Sequence, residues 1–506
     1  MSSPLVARIQ ARNHEHRLAV IDDHQHRSFV ELWNGALAAR ASLLDGRPSL
    51  DGDVVALFVS PGVGWLEAFL GILLAGGVAL PLSPLYPPNE LAWFGEDAQA
   101  TIVIVSDDLQ KRAHLLCERR RVLREESLRQ DARAADEVSP RAPDDVALLL
   151  YTSGTTGKPK GAMITHANVA VQAELLGEAW KWQTTDLLLH ALPLHHLHGL
   201  GISLMTSLLS GGATRMLSKF DARRVWDEFA SENPPTTWMA VPTMYQKLFD
   251  AFDTADESTR ERWAAGARRL RLSTSGSAAL PVTLAQRWRS ITGSVPLERF
   301  GMTEVGVGAS NPIDPLGRRP GSVGLPLRTV ESRIVDEAGR DVDMGPGELW
   351  IRGPSVFKGY LGREQATREA FAEGGWFRTG DVAERSVDGY VRLLGRTSVD
   401  ILKSGGYKLS ALEIEESLRE NPAVAEVAVV GLPDETWGER VVAVVVATPG
   451  RAHECEADVL RAWAKERMAP YKVPREVHVV DSLPRNALGK VMKPDVVRGL
   501  KGDETF

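Results

Sequence analysis

The stretch Tyr151-Thr152-Ser153-Gly154-Thr155-Thr156-Gly157-Lys158-Pro159-Lys160-Gly161 decides how the chain is read. It follows an apolar run of strand composition, residues 146–150, and leads into a helix expected to begin near Asn168. Its three glycines permit turns that bring backbone N–H groups close to an anion. Hydroxyls on Thr152, Ser153, Thr155 and Thr156 can donate to phosphate oxygens, and Lys158 and Lys160 add charge. Pro159 stands where a Walker loop needs Ser or Thr after its lysine, so this is a phosphate loop of another kind. A Ser/Thr/Gly run standing alone can also be a flexible surface linker, and the rest of the chain must decide.

With 506 residues, 43% hydrophobic and 25% charged, the chain has room for several domains or subdomains. A net charge of −7 carries no signal for a polyanion, which argues against nucleic acid as a partner. Cys117 and Cys455 are far apart and lack ligand-spaced neighbours, so neither a disulfide framework nor a zinc site is expected; a reducing cytoplasm fits. The N-terminus shows no basic-then-apolar export pattern. The most apolar run, 68–82, is broken by Gly71, Gly76, Gly77 and Pro81 and is shorter than the roughly 20 residues of a membrane span, so it reads as core.

From Asp53 the pattern alternates. Strands are expected at 54–59, 78–82 and 101–105, helices at 65–74 and 89–97, as in parallel sheets covered by helices. Residues 111–141, rich in Arg and Glu, read as a solvated helix and connector. After the loop, a strand at 186–192 runs into Pro193-Leu194-His195-His196-Leu197-His198-Gly199. No Cys or carboxylate sits at ligand spacing, so the three histidines read as a pocket wall. A strand at 237–241 precedes a helix from Pro242. Another, 270–274, ends in Ser275-Gly276-Ser277-Ala278-Ala279-Leu280-Pro281, where small residues let a flat ring approach the backbone; an ordinary strand-to-helix turn is the alternative.

Further on stand Glu298-Arg299-Phe300-Gly301-Met302-Thr303-Glu304, short antiparallel segments over 332–352, Trp376-Phe-Arg-Thr-Gly-Asp381, and Gly389-Tyr-Val-Arg-Leu-Leu-Gly395-Arg396. The composition changes after Arg396, which places a boundary between 1–396 and 397–506. In the second part Ser410-Ala-Leu-Glu413 has capping-box spacing, 424–430 and 441–447 are strands, and 457–468 is helical. It ends in Leu483-Pro-Arg-Asn-Ala-Leu-Gly489-Lys490.

These motifs, in this order over residues 29–490, resemble the adenylate-forming enzymes: acyl-CoA synthetases, luciferases and the adenylation domains of peptide synthetases. The resemblance implies a large α/β N-terminal domain of parallel and mixed sheets flanked by helices, with a small β-barrel-like subdomain. A small mobile α+β C-terminal domain follows. It implies that Thr152 through Lys160 cradle the phosphates of ATP, that Gly276, Ser277 and Ala278 form the adenine shelf, and that Arg299, Phe300, Gly301, Met302 and Thr303 line the nucleotide site. Thr156 and Glu304 would hold Mg²⁺, Asp381 would accept from the ribose with Arg396 beside it, and Lys490 would act in adenylation. His196, His198, Ser275 and Met302 would border the acyl group. Lys403, Ser404, Gly405, Gly406 and Tyr407 would line the tunnel for coenzyme A once the small domain turns about a hinge near Ser398.

The implied reaction joins a carboxylate to ATP as an acyl-adenylate, releasing pyrophosphate; the thiol of coenzyme A then displaces AMP. A stand-alone loader of a carrier protein would share the first half. Most CoA ligases of this superfamily carry a small residue where this chain has Arg299. A cation facing the acyl pocket implies a second carboxylate on the substrate. Malonyl-CoA synthetases resemble this chain in Glu298 to Glu304, in Ala191 to Gly199 and in Ser310-Asn-Pro312, so malonate or methylmalonate is expected. The alternative is that Arg299 pairs with a protein acid such as Glu298, or that another short acid is used; Lys247 is a second candidate cation. The expected partners are thus a dicarboxylate, ATP and coenzyme A, with the oligomeric state left open.

Overall fold

The strands Val54–Phe58, Val78–Pro81 and Ile102–Val105 lie parallel and side by side, with the helices Val63–Leu74 and Pro88–Asp97 as crossovers. This is a computed structural model describing residues 3–128, 138–152, 159–405, 407–486 and 490–502. The three strands are almost wholly apolar because helices cover the sheet. Every residue of Val63–Leu74 is buried, in keeping with the reading of the apolar run 68–82 as core. Among the described residues, no helix is long and apolar enough to cross a membrane.

The first sheet has seven strands in the order Gly359–Tyr360, Lys160–Thr165, Val146–Thr152, Val78–Pro81, Val54–Phe58, Ile102–Val105, Arg121–Arg124. Its last strand corrects the reading of residues 111–141 as helix and connector. Arg121–Arg124 pairs in parallel with Ile102–Val105, and its Arg-Val-Leu-Arg pattern suits an edge, where charged side chains discourage further pairing. A second sheet of nine strands runs Leu325–Pro326, Gly306–Ser310, Leu297–Met302, Leu272–Ser275, Thr237–Ala240, Leu187–His190, Ala213–Met216, Leu18–Ile21, His26–Ser28. Against it pack the buried Trp226, Trp263 and Trp288, with Phe229 linking Trp226 to Trp238 of the strand Thr237–Ala240. The helix after the phosphate loop, His166–Ala179, starts at a capping box between Thr165 and Asn168.

Five antiparallel strands then form a small sheet that ends with Val391–Arg396. Residues 397–400 turn, and Ile401–Ser404 opens a separate five-stranded sheet. This sheet has its own core, in which Ile414 and Leu418 of the helix Ala411–Arg419 join Val427, Val429, Ala443 and Val445. Ser410 caps that helix by accepting from the Glu413 amide. The turn is fastened from the far end of the chain. Lys493 is buried and pairs with both Asp400 and Glu415, while the Asp400 carboxylate accepts from the Arg396 amide at 3.0 Å.

Candidate active site

The described residues that flank the phosphate loop are held by strand pairing. Thr152 and Lys160 are direct partners between antiparallel strands, which sets the two flanks of the expected phosphate loop side by side. Ser153, Gly154, Thr155, Thr156, Gly157 and Lys158 lie outside the described residues, as does Gly406. Thr152 directs its hydroxyl to Glu304 Oε1 at 3.5 Å, and Tyr360 donates to the same oxygen at 2.9 Å. Lys160 places its ammonium 5.3 Å from the centre of the Tyr360 ring. Glu304 is buried, and among the described residues no cation pairs with it. A buried carboxylate without a counter-charge fits a Mg²⁺ ion shared with substrate phosphates, a mode that needs only one or two protein carboxylates. No group of three or more metal-ligating side chains gathers among the described residues.

At the shelf, Leu272–Ser275 runs parallel to Leu297–Met302, and Gly276 is buried while Ser277 and Ala278 are exposed. Successive residues of Leu297–Met302 face opposite ways. Glu298 accepts from the Gly321 amide at 2.9 Å, and burial pushes its carboxyl up to about 8, so it is protonated at neutral pH. Arg299 points to the other side, and the expected alternative of an Arg299–Glu298 pair is not formed. A methyl group on Gly276 would lie 2.3 Å from the Arg299 guanidinium carbon, and one on Gly301 would lie 3.1 Å from Nη1. At Gly276 the absent side chain leaves room for the guanidinium, whereas at Gly301 the nearer obstacle is the Gly306 carbonyl oxygen, 2.4 Å from such a methyl.

Arg299 is 5% exposed, its Nε and Nη2 have no hydrogen-bond partner, and no acid pairs with it among the described residues. Desolvation pulls its pKa down to about 10, which still leaves it charged at neutral pH. Lys247, the other candidate cation, is exposed on its helix and does not share this burial.

Beside Arg299 is the histidine wall. His198 Nδ1 meets Ser277 Oγ at 3.0 Å, and its Nε2 is buried without a partner. Burial, then the charge of Arg299, holds His198 well below the usual imidazole range, and burial brings His196 down to about 4. Both are neutral at pH 7. His195 packs its ring against those of Tyr86 and His196. From His198 to Leu204 the backbone forms a π-helix, a widened turn that the sequence pattern does not announce. Ser275 is buried with an unpartnered hydroxyl, Phe300 is buried, and Met302 and Thr303 are half-buried between shelf and Glu304.

Asp381 and Arg396 are register partners, joined by an ion pair at 3.0 Å. Burial raises the Asp381 carboxyl to about 6, against the opposing charges of Arg396 and Lys490. Lys490 reaches solvent, yet its surroundings and the Arg396 charge lower its pKa, with Asp400 and Asp381 acting the other way. Lys403, Ser404, Gly405 and Tyr407 belong to a hairpin of the small domain. Lys403, Gly405 and Tyr407 are exposed and Ser404 is buried. Gly405 abuts Trp437, Tyr407 stacks on Tyr471 at 4.3 Å, and Lys408 pairs with Glu337. The structure thus joins Thr152 and Tyr360 to Glu304, sets His198 with Ser277 beside Arg299, and pairs Asp381 with Arg396. Sequence reasoning missed Tyr360 and the Asp400–Lys493–Glu415 cluster, whose members are joined only by tertiary pairing.

Residues 7–361 match the family described as AMP-binding enzyme, and 413–490 match the AMP-binding enzyme C-terminal domain. A Mus musculus protein named malonate–CoA ligase ACSF3, mitochondrial, is 40% identical over 520 residues, spanning 96% of this chain and 88% of that protein. The crystal structure of ATP-bound MatB from Rhodopseudomonas palustris is 35% identical, covers 99% of both chains and superposes with a TM-score of 0.89. A malonyl-CoA ligase ternary product complex with methylmalonyl-CoA and AMP bound is 37% identical over 93% of this chain and 97% of that one, with a TM-score of 0.67. On the strength of its matched length and of these full-length relatives, this chain belongs to the AMP-binding enzyme family.

Proposed function

We propose that this chain is an ATP-dependent ligase that joins malonate, or its methyl derivative, to coenzyme A through an acyl-adenylate. The observation that carries the substrate is Arg299. A buried guanidinium with unmet donors is unfavourable in the free protein, and a ligand that brings an anion to it gains what the protein leaves unsatisfied. A diacid can give one carboxylate to the chemistry and the other to Arg299. The Mus musculus relative and the product-complex structure carry malonate or methylmalonate chemistry in their names, which supports the same choice.

In this reading Gly276, Ser277 and Ala278 seat the adenine, Asp381 and Arg396 take the ribose, and Lys160 with the loop 152–158 receives the phosphates. Glu304, with Thr156, would hold Mg²⁺, which when bound neutralises phosphate charge. One carboxylate oxygen of the substrate attacks the α-phosphorus and pyrophosphate leaves. Lys490 supplies a positive charge to the approaching anions. Residues 1–396 would form the adenylating part and 397–506 the part that moves. The higher overlay on the ATP-bound neighbour than on the product complex, together with Lys490 lying near Asp381, supports an adenylate-forming arrangement here. For the second step the small domain would turn to bring the hairpin of Lys403 and Tyr407 to the adenylate, where the thiol sulfur attacks the acyl carbon and AMP departs. A reducing, cytoplasmic setting suits the two free cysteines.

The test is a panel of acetate, butyrate, malonate, methylmalonate and succinate with ATP, measuring pyrophosphate release with and without coenzyme A. Malonate or methylmalonate should give the highest kcat/KM, with AMP and thioester formed together. Preference for a monoacid would overturn the substrate assignment, and full turnover only with an acyl carrier protein would overturn the acceptor.

A further inference from the structure

We propose that Tyr360 is a positioning residue for the Glu304 carboxylate: its hydroxyl holds one oxygen, so that the second is left for a metal ion. This rests on the reading of Glu304 as the metal-binding acid.

Three connections converge on Tyr360. Its strand, Gly359–Tyr360, is the edge of the seven-stranded sheet and pairs with Lys160–Thr165, placing Tyr360 opposite Ala162. Its Oη donates to Glu304 Oε1 at 2.9 Å, and the face of its ring lies 5.3 Å from the Lys160 ammonium. The backbone supports the same arrangement. Phe357 N–H donates to the Glu304 carbonyl at 2.8 Å, the Phe357 ring meets that of Tyr360 edge to face at 4.8 Å, and Tyr360 N–H donates to Thr367 Oγ1 at 2.9 Å. The ring and peptide of Tyr360 are fixed before any ligand arrives.

Glu304 Oε1 thus accepts from Tyr360 and, at longer reach, from Thr152, while Oε2 takes no hydrogen bond among the described residues. A buried carboxylate free to rotate would lose orientation each time a ligand left. Holding one oxygen removes that freedom, and outer partners of metal-binding carboxylates commonly change metal affinity by about 10- to 100-fold. The ring also faces Lys160, which couples the phosphate-binding ammonium to the carboxylate through one side chain.

The test is Tyr360→Phe, which keeps the ring and removes the donor. Mn²⁺ binding with α,β-methylene-ATP, followed by electron paramagnetic resonance, should weaken by about 10-fold or more. The Mg²⁺ concentration for half-maximal pyrophosphate release should rise by a similar factor. Conversion of supplied malonyl-adenylate and coenzyme A to thioester should be unchanged, which also shows that the variant is folded. Glu304→Gln is run in parallel. If Glu304→Gln weakens Mn²⁺ binding and Tyr360→Phe does not, Tyr360 merely packs and the proposal is wrong. If neither variant changes Mn²⁺ binding, the reading of Glu304 itself falls and takes this proposal with it.

Discussion

Arg396 lies directly across the strand pair from Asp381, with its Nε 3.0 Å from the Asp381 carboxylate and its Nη1 donating to the Thr379 carbonyl at 2.8 Å. The guanidinium is thereby anchored at both ends, and it compensates only part of the desolvation of its partner. Asp381 keeps a carboxyl raised to about 6. In the proposed function it must be ionised to accept from ribose hydroxyls.

Because the pKa is raised, the active form is lost as pH falls through about 6, well above the ordinary range of an aspartate. The kcat/KM for ATP should decline about tenfold per pH unit below that point. In the ATP complex, donors from the ribose favour the ionised form, so the corresponding limb in kcat should lie lower. Rate profiles from about pH 5 to 8 check this. Asp381→Asn should be slower throughout and should lack the limb; a limb persisting in that variant assigns the titration to another group.

Lys490→Ala should separate the half-reactions. Removing a charge aimed at developing anions slows such steps by about 10²–10³-fold, so pyrophosphate release from malonate and ATP should fall by that order. Thioester formation from supplied malonyl-adenylate should be largely retained. Since the Lys490 pKa is lowered, adenylation should also decline at high pH earlier than an ordinary lysine would allow, as its ammonium deprotonates. Equal loss in both halves would remove the assigned role.

A third outcome concerns Lys493, which joins the end of the chain to the turn at 397–400. Burial disfavours its charge, yet Glu415 and Asp400 more than offset this and raise its pKa. The sign follows: the contribution is fully present below the ordinary lysine value of 10.5 and is lost only as pH rises through the still higher folded value. Lys493→Met removes the cation that the two acids share, leaving Glu415, among the described residues, only its longer ion pair with Arg419 at 3.5 Å, and should destabilise the small domain by about 3–5 kcal/mol at about pH 8. Denaturant melts of the two proteins at about pH 8 measure it, and a loss far smaller than this would mean that the buried pairing contributes little to the domain.

Local pattern carried the reading of the sheets and failed where the decisive contacts are distant in sequence. Val54–Phe58 through Ile102–Val105 were legible because apolar runs alternate with helical spacing, and Ser410 was legible because a cap and its amide are three residues apart. Arg121–Arg124 was not, since an edge strand with charged ends looks like a solvated connector. The motif order grouped Glu304, Asp381 and Lys490 as one expected site, but the Tyr360 bond to Glu304 spans 56 positions and has no local signature. The opposite facing of Glu298 and Arg299 needed strand register to decide, because a helix or a turn there would have allowed them to pair.

That opposite facing sets up the decisive substitution. If Arg299 meets the distal carboxylate of malonate in a largely dry pocket, Arg299→Ala leaves that charge buried and unpaired, a loss of about 3–5 kcal/mol by analogy with broken buried ion pairs. At about 1.4 kcal/mol per tenfold, kcat/KM for malonate should fall by roughly 10² to 10³-fold or more. Butyrate has no second charge and should lose little or improve, because it no longer confronts a cation whose Nε and Nη2 lack partners. General damage to the fold would depress both substrates together, so the divergence between diacid and monoacid is the diagnostic feature. Arg299→Lys should rescue only in part, since one ammonium cannot reproduce the two-pronged contact of a guanidinium and is more strongly hydrated. Parallel kcat/KM measurements with malonate and butyrate on the three proteins decide it. Equal losses for the two acids would make Arg299 a packing residue and withdraw the main physical support for a dicarboxylate substrate.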